Sequence, residues 1–251
     1  MKIVVIGGTG LIGSRLVTLL RVRGQEVVAA APNCGVDTLT GEGLSEALAG
    51  ARVVVDVSNS PSLDGQAAMD FFMTSGRNLL AAEADAGVGH HVALSIVGAR
   101  RLADSGYLSA KAAQEDLIAA SPVPYTIVES TQFFEFIERV ATSSIDGEVY
   151  RLSPALMQPI AVDDVVDALA DIALGPPLNR AVEIAGPEAI RLDELAREVL
   201  SAHEDPHPIV ADPHARYFGA ELDDHSLAPG PDARIGPSRF ADWLRQSIPA
   251  D

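Results

Sequence analysis

Met1-Lys-Ile-Val-Val-Ile-Gly-Gly-Thr-Gly-Leu-Ile-Gly13 is the stretch that decides the fold. Lys2 to Ile6 reads as a short apolar strand, and it runs directly into Gly7-x-x-Gly10-x-x-Gly13. A helical apolar pattern begins at once, with Ile12, Leu16, Leu19 and Leu20 at i, i+4, i+7 and i+8. Strand, glycine turn and helix N-terminus in that order make a cradle for a pyrophosphate. The helix end presents unpaired N–H groups and a partial positive charge, and glycine lets the anion approach the backbone. In this context the triplet points to a dinucleotide whose phosphates rest on Gly7, Thr9, Gly10, Leu11, Ile12 and Gly13.

The pattern repeats downstream. Glu26 to Ala31 predicts a strand closed by Pro32, Leu44 to Leu48 a short helix, and Arg52 to Val57 a buried strand. Gly65 to Ala86 predicts a long helix with Phe71, Phe72, Leu79 and Leu80 on its apolar face. His91 to Ile96, Tyr107 to Ala120 and Pro124 to Val128 read as strand, helix and strand. His90 and His91 read as loop and strand-edge residues. This alternation predicts an α/β fold with a doubly wound parallel sheet covered on both faces.

The second half is less regular. Asp163 or Asp164 reads as the N-cap of a helix reaching Leu174, ended by Gly175-Pro-Pro177. A strand at Val182 to Ala185, a helix from Leu192 to about Ala202 and a short helix at Phe240 to Leu244 follow. Residues 203–237 are rich in Pro, Asp, His and Gly and show no clear period. With no clean linker, residues 1–251 read as one domain. A small C-terminal substrate lobe, built from about 130–160 and 187–251, folds over the C-terminal edge of the sheet, where ligands bind in open α/β folds.

With 18 basic against 35 acidic residues, the chain carries a formal charge of −17. Such a surface repels nucleic acid and anionic membranes, which argues against both as partners and leaves a small-molecule substrate. The lone cysteine, Cys34, supports neither a disulfide framework nor a cysteine metal cluster. No leader precedes the first strand and no apolar run approaches a membrane span, so the protein reads as cytoplasmic. His203, His207, His214 and His225 lie among aspartates, but their spacing matches no compact ligand motif, so no metal is expected. The sequence leaves the oligomeric state open.

The chemistry centres on Tyr107-Leu-Ser-Ala-Lys111. Tyrosine and lysine four apart on a helix face the same way. A lysine beside the phenol favours phenolate, which suits proton exchange with a substrate hydroxyl or carbonyl. Ser95, at the end of a strand twelve residues earlier, offers a hydroxyl for the same substrate oxygen.

Together these motifs resemble the short-chain dehydrogenase/reductase superfamily, and more narrowly its atypical NmrA-like branch of NAD(P)-binding proteins. The resemblance rests on Gly7-Gly-Thr-Gly-Leu-Ile-Gly13, Asn78-Leu-Leu-Ala-Ala82, Ser95 and Tyr107-x-x-x-Lys111. Tyr125-Thr-Ile-Val128, Pro159-Ile-Ala-Val-Asp-Asp-Val165 and Val182-Glu-Ile-Ala-Gly-Pro187 continue it in order over roughly residues 1–200. It implies a Rossmann-type core and hydride transfer between a nicotinamide and a carbonyl or related group. It also implies Tyr107 as general acid/base, Lys111 as a holder of the nicotinamide ribose and Ser95 as the residue orienting substrate. Two positions depart from the pattern. The asparagine that completes a proton relay in many relatives is replaced within Phe71-Phe-Met-Thr74, and Glu129 stands where arginine is common.

Cofactor choice turns on the end of the second strand. The acid that clamps the ribose of NAD is absent from Ala31-Pro-Asn33-Cys-Gly35, which tilts the expectation to NADP over NAD. Asn33 lies at that ribose, and Arg15 in the first helical turn is the candidate cation for a 2′-phosphate. Ser58 and Asn59 are candidate cofactor contacts in the loop after the third strand. Phe133, Phe134 and Phe136 are candidates for an apolar substrate pocket. The leading expectation is an NAD(P)-dependent oxidoreductase acting on a small, largely apolar carbonyl or hydroxyl compound. A non-catalytic NAD(P) sensor is the alternative, and an isomerase or epimerase with tightly held NAD is a third.

Overall fold

The computed structural model describes residues 1–247; residues 248–251, the end of the expected lobe, lie outside the described residues. The first half runs β1 (Lys2–Ile6), α1 (Leu11–Val22), β2 (Glu26–Ala30), α2 (Leu44–Leu48), β3 (Val53–Asp56) and α3 (Gly65–Ala86). It continues with β4 (His90–Ile96), α4 (Gly106–Ala119) and β5 (Tyr125–Ser130). Next come α5 (Ile137–Thr142), β6 (Ile145–Asp146), β7 (Val149–Leu152), β8 (Leu156–Met157), α6 (Val162–Leu174) and β9 (Arg180–Ala185). The chain closes with β10 (Ile190–Arg191), α7 (Leu192–Ala202), β11 (Ile209–Ala211), β12 (Arg216–Tyr217), β13 (Ala220–Glu221), β14 (Arg234–Ile235) and α8 (Phe240–Ser247).

Seven parallel strands form the central sheet in the order β14-β9-β5-β4-β3-β1-β2. This is a Rossmann-type α/β sheet with helices on both faces. The chain turns one way from β1 to β2 and the other way to β3, so the crevice beyond the ends of β1 and β3 is the switch point where ligands bind. Ile6 pairs with both Ala30 and Asp56, which brings the ends of β1, β2 and β3 level at that crevice.

On one face α1 packs on α6. Leu16, Val17 and Leu20 meet Val165, Val166, Leu169 and Ala173 there, all buried. Burying each Leu or Val contributes about 1.5–3 kcal/mol, whereas the exposed pairs Arg15–Asp163 and Arg23–Asp171 on the rim add about 0–1 kcal/mol each. On the other face α3 and α4 lie together, and their N-termini meet at two glycines. A Cβ on Gly65 would stand 2.7 Å from the Cα of Gly106, and the converse holds. That close approach sets Tyr107, the residue after Gly106, against Phe72 of α3, with ring centroids 6.1 Å apart.

The lobe comprises α5, the three-stranded β11-β7-β6 sheet, the β8–β10 pair, α7, the β12–β13 hairpin and α8. Its apolar core, with Phe134, Ile137, Leu152, Met157, Leu195, Val199 and Phe240, is continuous with Phe72, Tyr107 and Leu108. No helix among the described residues is long and apolar enough to cross a membrane.

Two local expectations are corrected. Helix α6 is not capped by Asp163 or Asp164. Its N-cap position is Ala161, and the carboxylate of Glu135 accepts from the Val162 N–H at 3.2 Å. Asp163 and Asp164 lie in the first turn and bind Arg15 and Ser238 instead. His90 and His91 are not edge residues, because β4 is an interior strand and both rings are buried. His90 Nε2 meets Thr126 Oγ1 at 2.9 Å. Burial, with the adjacent His91, pulls its pKa down to about 4. His91 Nδ1 lies 2.8 Å from Glu83 Oε1; burial opposes its protonated form, but the Glu83 charge prevails and raises its pKa.

Candidate active site

The glycine turn has the geometry an anion needs. Gly7 has φ +76°, and a Cβ there would stand 3.0 Å from the backbone of Val57 and Ser58. At Gly8 a Cβ would lie 2.8 Å from Val5 O, and at Gly13 it would run into the Gly7 carbonyl. Gly10 differs: its Cβ would meet only the Gly7 carbonyl, at 3.3 Å, and would otherwise project into open space. No side chain caps α1 at Gly10 and no acid lies in its first turn, so its N–H groups and positive end stay available. The residues present therefore fit a dinucleotide pyrophosphate.

At the neighbouring end of β2, Thr9 Oγ1 meets Asn33 Oδ1 at 3.3 Å, so these two expected cofactor residues stand together. Arg15 does not hang free over them. Its Nη1 binds Asp163 Oδ1 at 2.6 Å, so an incoming phosphate would have to displace a carboxylate.

Asn59 and Tyr107 meet across the crevice. The Tyr107 hydroxyl donates to Asn59 Oδ1 at 2.7 Å, which places Asn59 on the candidate catalytic hydroxyl. Ser58 packs against Gly7 and its N–H donates to Asp56 Oδ1 at 2.9 Å, which fixes the loop carrying Asn59. The Tyr107 ring is buried between Phe72 and Phe218.

Lys111 lies one helical turn on and is only 4% exposed. Its ammonium donates to Leu94 O at 2.9 Å and to Gln114 Oε1 at 2.5 Å, and sits 4.5 Å from the centroid of Phe72. Gln114 Nε2 in turn donates to Asp56 Oδ2 at 3.3 Å. Burial lowers the Lys111 pKa to about 8, against the opposing charges of Asp56 and Glu115. The expected lowering of the Tyr107 pKa by this lysine is not what the structure shows. Burial raises it, and the group that works against burial is Asn59.

Ser95 is not brought to Tyr107. Its hydroxyl donates to Glu115 Oε1 at 2.5 Å. Glu115 lies eight residues after Tyr107, about 12 Å along the helix axis. Arg100 Nε holds the second oxygen of Glu115 at 3.1 Å. The three phenylalanines of the expected pocket part company, with Phe133 packing against the same core cluster as Ile12 and Val57. Phe134 packs into the lobe core against Phe240 and Trp243, because its position just after β5 points it between α5 and α8. Phe133 and Phe136 pair with each other at 5.4 Å, and Phe136 is 40% exposed. Asn78 donates to Thr38 O and Leu39 O, fastening the loop after β2.

Sequence reasoning missed Asp56, Gln114, Glu115 and Phe218. Gln114 and Glu115 stand three and four residues after Lys111, a spacing that shares its helix face and could have found them. Phe218, in the unpatterned segment, had no such signal. Among the described residues no group of three or more His, Cys, Asp or Glu side chains could hold a metal ion.

No protein-family model matches the chain, and no curated protein matches it. Solved structures share its fold. MoeE5 in complex with UDP-glucose and NAD has a TM-score of 0.73 at 20% identity, covering 99% of this chain and 97% of that one. UDP-glucose 4-epimerase of Thermotoga maritima with UDP-glucose has a TM-score of 0.76 at 16% identity, over 99% and 97%. A short-chain dehydrogenase/reductase superfamily protein from Agrobacterium tumefaciens with bound NAD has a TM-score of 0.71 at 16% identity, over 99% and 96%. At these identities the likeness is one of fold.

Proposed function

We propose that the chain is a nicotinamide-dependent oxidoreductase of the short-chain dehydrogenase/reductase type, acting on a small, largely apolar carbonyl or hydroxyl compound. The observation that carries this reading is the Tyr107 hydroxyl, held at 2.7 Å by Asn59 beside the glycine cradle, with the buried Lys111 one turn behind it. Gly7, Gly10 and the N–H groups of α1 would hold the pyrophosphate, and Thr9 and Asn33 the adenosine ribose. When bound, the reduced nicotinamide supplies a hydride to the carbonyl carbon. Tyr107 gives its proton to the carbonyl oxygen, so the C=O becomes CH–OH, and the oxidised direction reverses both transfers. Asn59 orients the phenol. Ser95 has no part in this scheme, since Glu115 occupies its hydroxyl.

The pairing of Arg15 with Asp163 favours NAD over NADP, and two of the similar structures, MoeE5 and the Agrobacterium tumefaciens protein, contain NAD. The burial of Tyr107 beneath Phe218 is the feature that favours the alternative, an NmrA-like dinucleotide sensor without turnover. Calorimetric titration with NADH and NADPH, followed by nicotinamide absorbance on a carbonyl panel, decides between them. Tyr107→Phe should leave dinucleotide affinity within about twofold and lower turnover by about 10²–10⁴. Dinucleotide binding with no turnover on any carbonyl would favour the sensor, and failure to bind either dinucleotide would refute both.

A further inference from the structure

Phe218 occupies a position that its own side chain disfavours. Strands β12 and β13 are joined by the two-residue loop Phe218-Gly219, with φ values of +46° and +90°. Positive φ at both central residues is the tight hairpin turn that favours Asn-Gly or Gly-Gly. A bulky aromatic residue there is an outlier, retained only where the surroundings hold it. What surrounds it is the candidate active site. Its ring stands 5.8 Å from Tyr107 and 4.5 Å from Tyr217, centroid to centroid. The chain is only 5% aromatic, yet Phe71, Phe72, Tyr107, Phe218 and Tyr217 run in unbroken ring contact.

The hairpin is embedded through Tyr217 and Ala220, both buried, and it is hooked as well. The Tyr217 hydroxyl donates to Gln132 Oε1 at 2.5 Å, in the loop after β5. The hairpin borders a small, partly open cavity of about 30 Å³ with mixed walls, among them Ser144, Arg151, Leu152, Arg216, Tyr217 and Phe218. Its cation, Arg216, turns back to donate to Gly219 O at 2.9 Å and so closes the hairpin on itself. The tip over Tyr107 thus presents a flat apolar face.

We propose that Phe218 is the specificity-determining residue of this site, stacking on a planar aromatic carbonyl compound whose oxygen reaches Tyr107. The proposal rests on the reading of Tyr107 as the proton-exchanging group. The strained turn holds the ring where a flat ligand replaces Tyr107 as its partner. A flexible sugar diphosphate would meet aromatic rings at this tip.

The test uses the full chain saturated with NAD, so that binding is read without turnover. Affinities are measured by calorimetry for 2-acetonaphthone (planar), cyclohexyl methyl ketone (non-planar) and UDP-glucose. The naphthyl ketone should bind about tenfold more tightly than the cyclohexyl ketone. Phe218→Asn, which suits the turn, should erase that preference while the melting temperature holds or rises. A merely structural phenylalanine would instead lower the melting temperature and leave ligand preference unchanged. If the Asn variant does not fold, Phe218→Leu keeps the apolar bulk, and it too should lose the preference. Equal affinity for the two ketones, a preference that survives both substitutions, or tighter binding of UDP-glucose would overturn the proposal. These outcomes leave the dinucleotide reading intact, whereas absence of NAD binding in the first titration would sink that reading itself.

Discussion

Glu129→Gln should stabilise the protein by an amount that grows from about pH 4.5 to 7 and is complete above that. Glu129 sits in β5 between Ser95 of β4 and Glu183 of β9, each its direct register partner. Residues in one row of a parallel sheet point to one face, with strands about 4.8 Å apart. Burial first, then the charges of Glu115 and Glu183, raise the Glu129 pKa from 4.5 to about 7, with Arg100 and Arg101 opposing. At about 1.4 kcal/mol per pH unit that shift corresponds to about 3 kcal/mol. Glu129 is only half-buried, and solvent screening reduces the figure to about 1 kcal/mol. The sign follows from proton counting. Between pH 4.5 and 7 the folded protein keeps a proton that the unfolded chain has released, so stability falls as pH rises through this window and is then flat. Glutamine mimics the protonated acid. The stability difference between variant and wild type should therefore be near zero at pH 5 and about 1 kcal/mol in favour of the variant at pH 8. Urea denaturation at half-unit pH steps reads it directly, and a melting scan at pH 8 should show a rise of about 2–4 °C. A difference that does not change with pH would refute the electrostatic account of this row.

Two further substitutions test the rest of the site. Gly10→Val should fold normally, because only the Gly7 carbonyl stands near its Cβ at 3.3 Å. It should lose dinucleotide binding by at least about 100-fold, read by calorimetry, since the side chain fills the cradle. Asp56→Asn removes a charge that favours protonated Lys111, so the Lys111 pKa should fall below its present value of about 8. The chain contains only two lysines, Lys2 and Lys111, so ¹³C-lysine NMR follows that titration without interference. An unmoved Lys111 midpoint in a folded variant would disprove the link through Gln114.

The sheet was legible because its signals are local. The Gly65–Ala86 and Leu192–Ala202 helices have the bounds their apolar spacing predicts, and β1 leads into α1 through the glycines that both require. The cap of α6 was misread for the opposite reason. Asp163 and Asp164 have the chemistry of N-caps, but Glu135, nearly thirty residues away, supplies the carboxylate, and no local pattern carries that information. His90 and His91 failed similarly, because strand order rather than strand sequence makes β4 interior.

Ser95 shows where such reading ends at the site itself. Its parity along β4 puts it on the same face as His91 and Ala93, the face that α3 and α4 cover. Parity thus assigns Ser95 to the right helix but not to a level along it. Tyr107 and Glu115 share α4 and stand about 12 Å apart along its axis. Whichever of them lies level with Ser95 receives its hydroxyl, and the crossing of α3 and α4 at Gly65 and Gly106 sets that level. It gives Ser95 to Glu115 and leaves Tyr107 to Asn59. A catalytic pair on this scaffold is therefore fixed by where two glycines let two helices touch, and substituting either glycine should disturb Tyr107 before it disturbs the sheet.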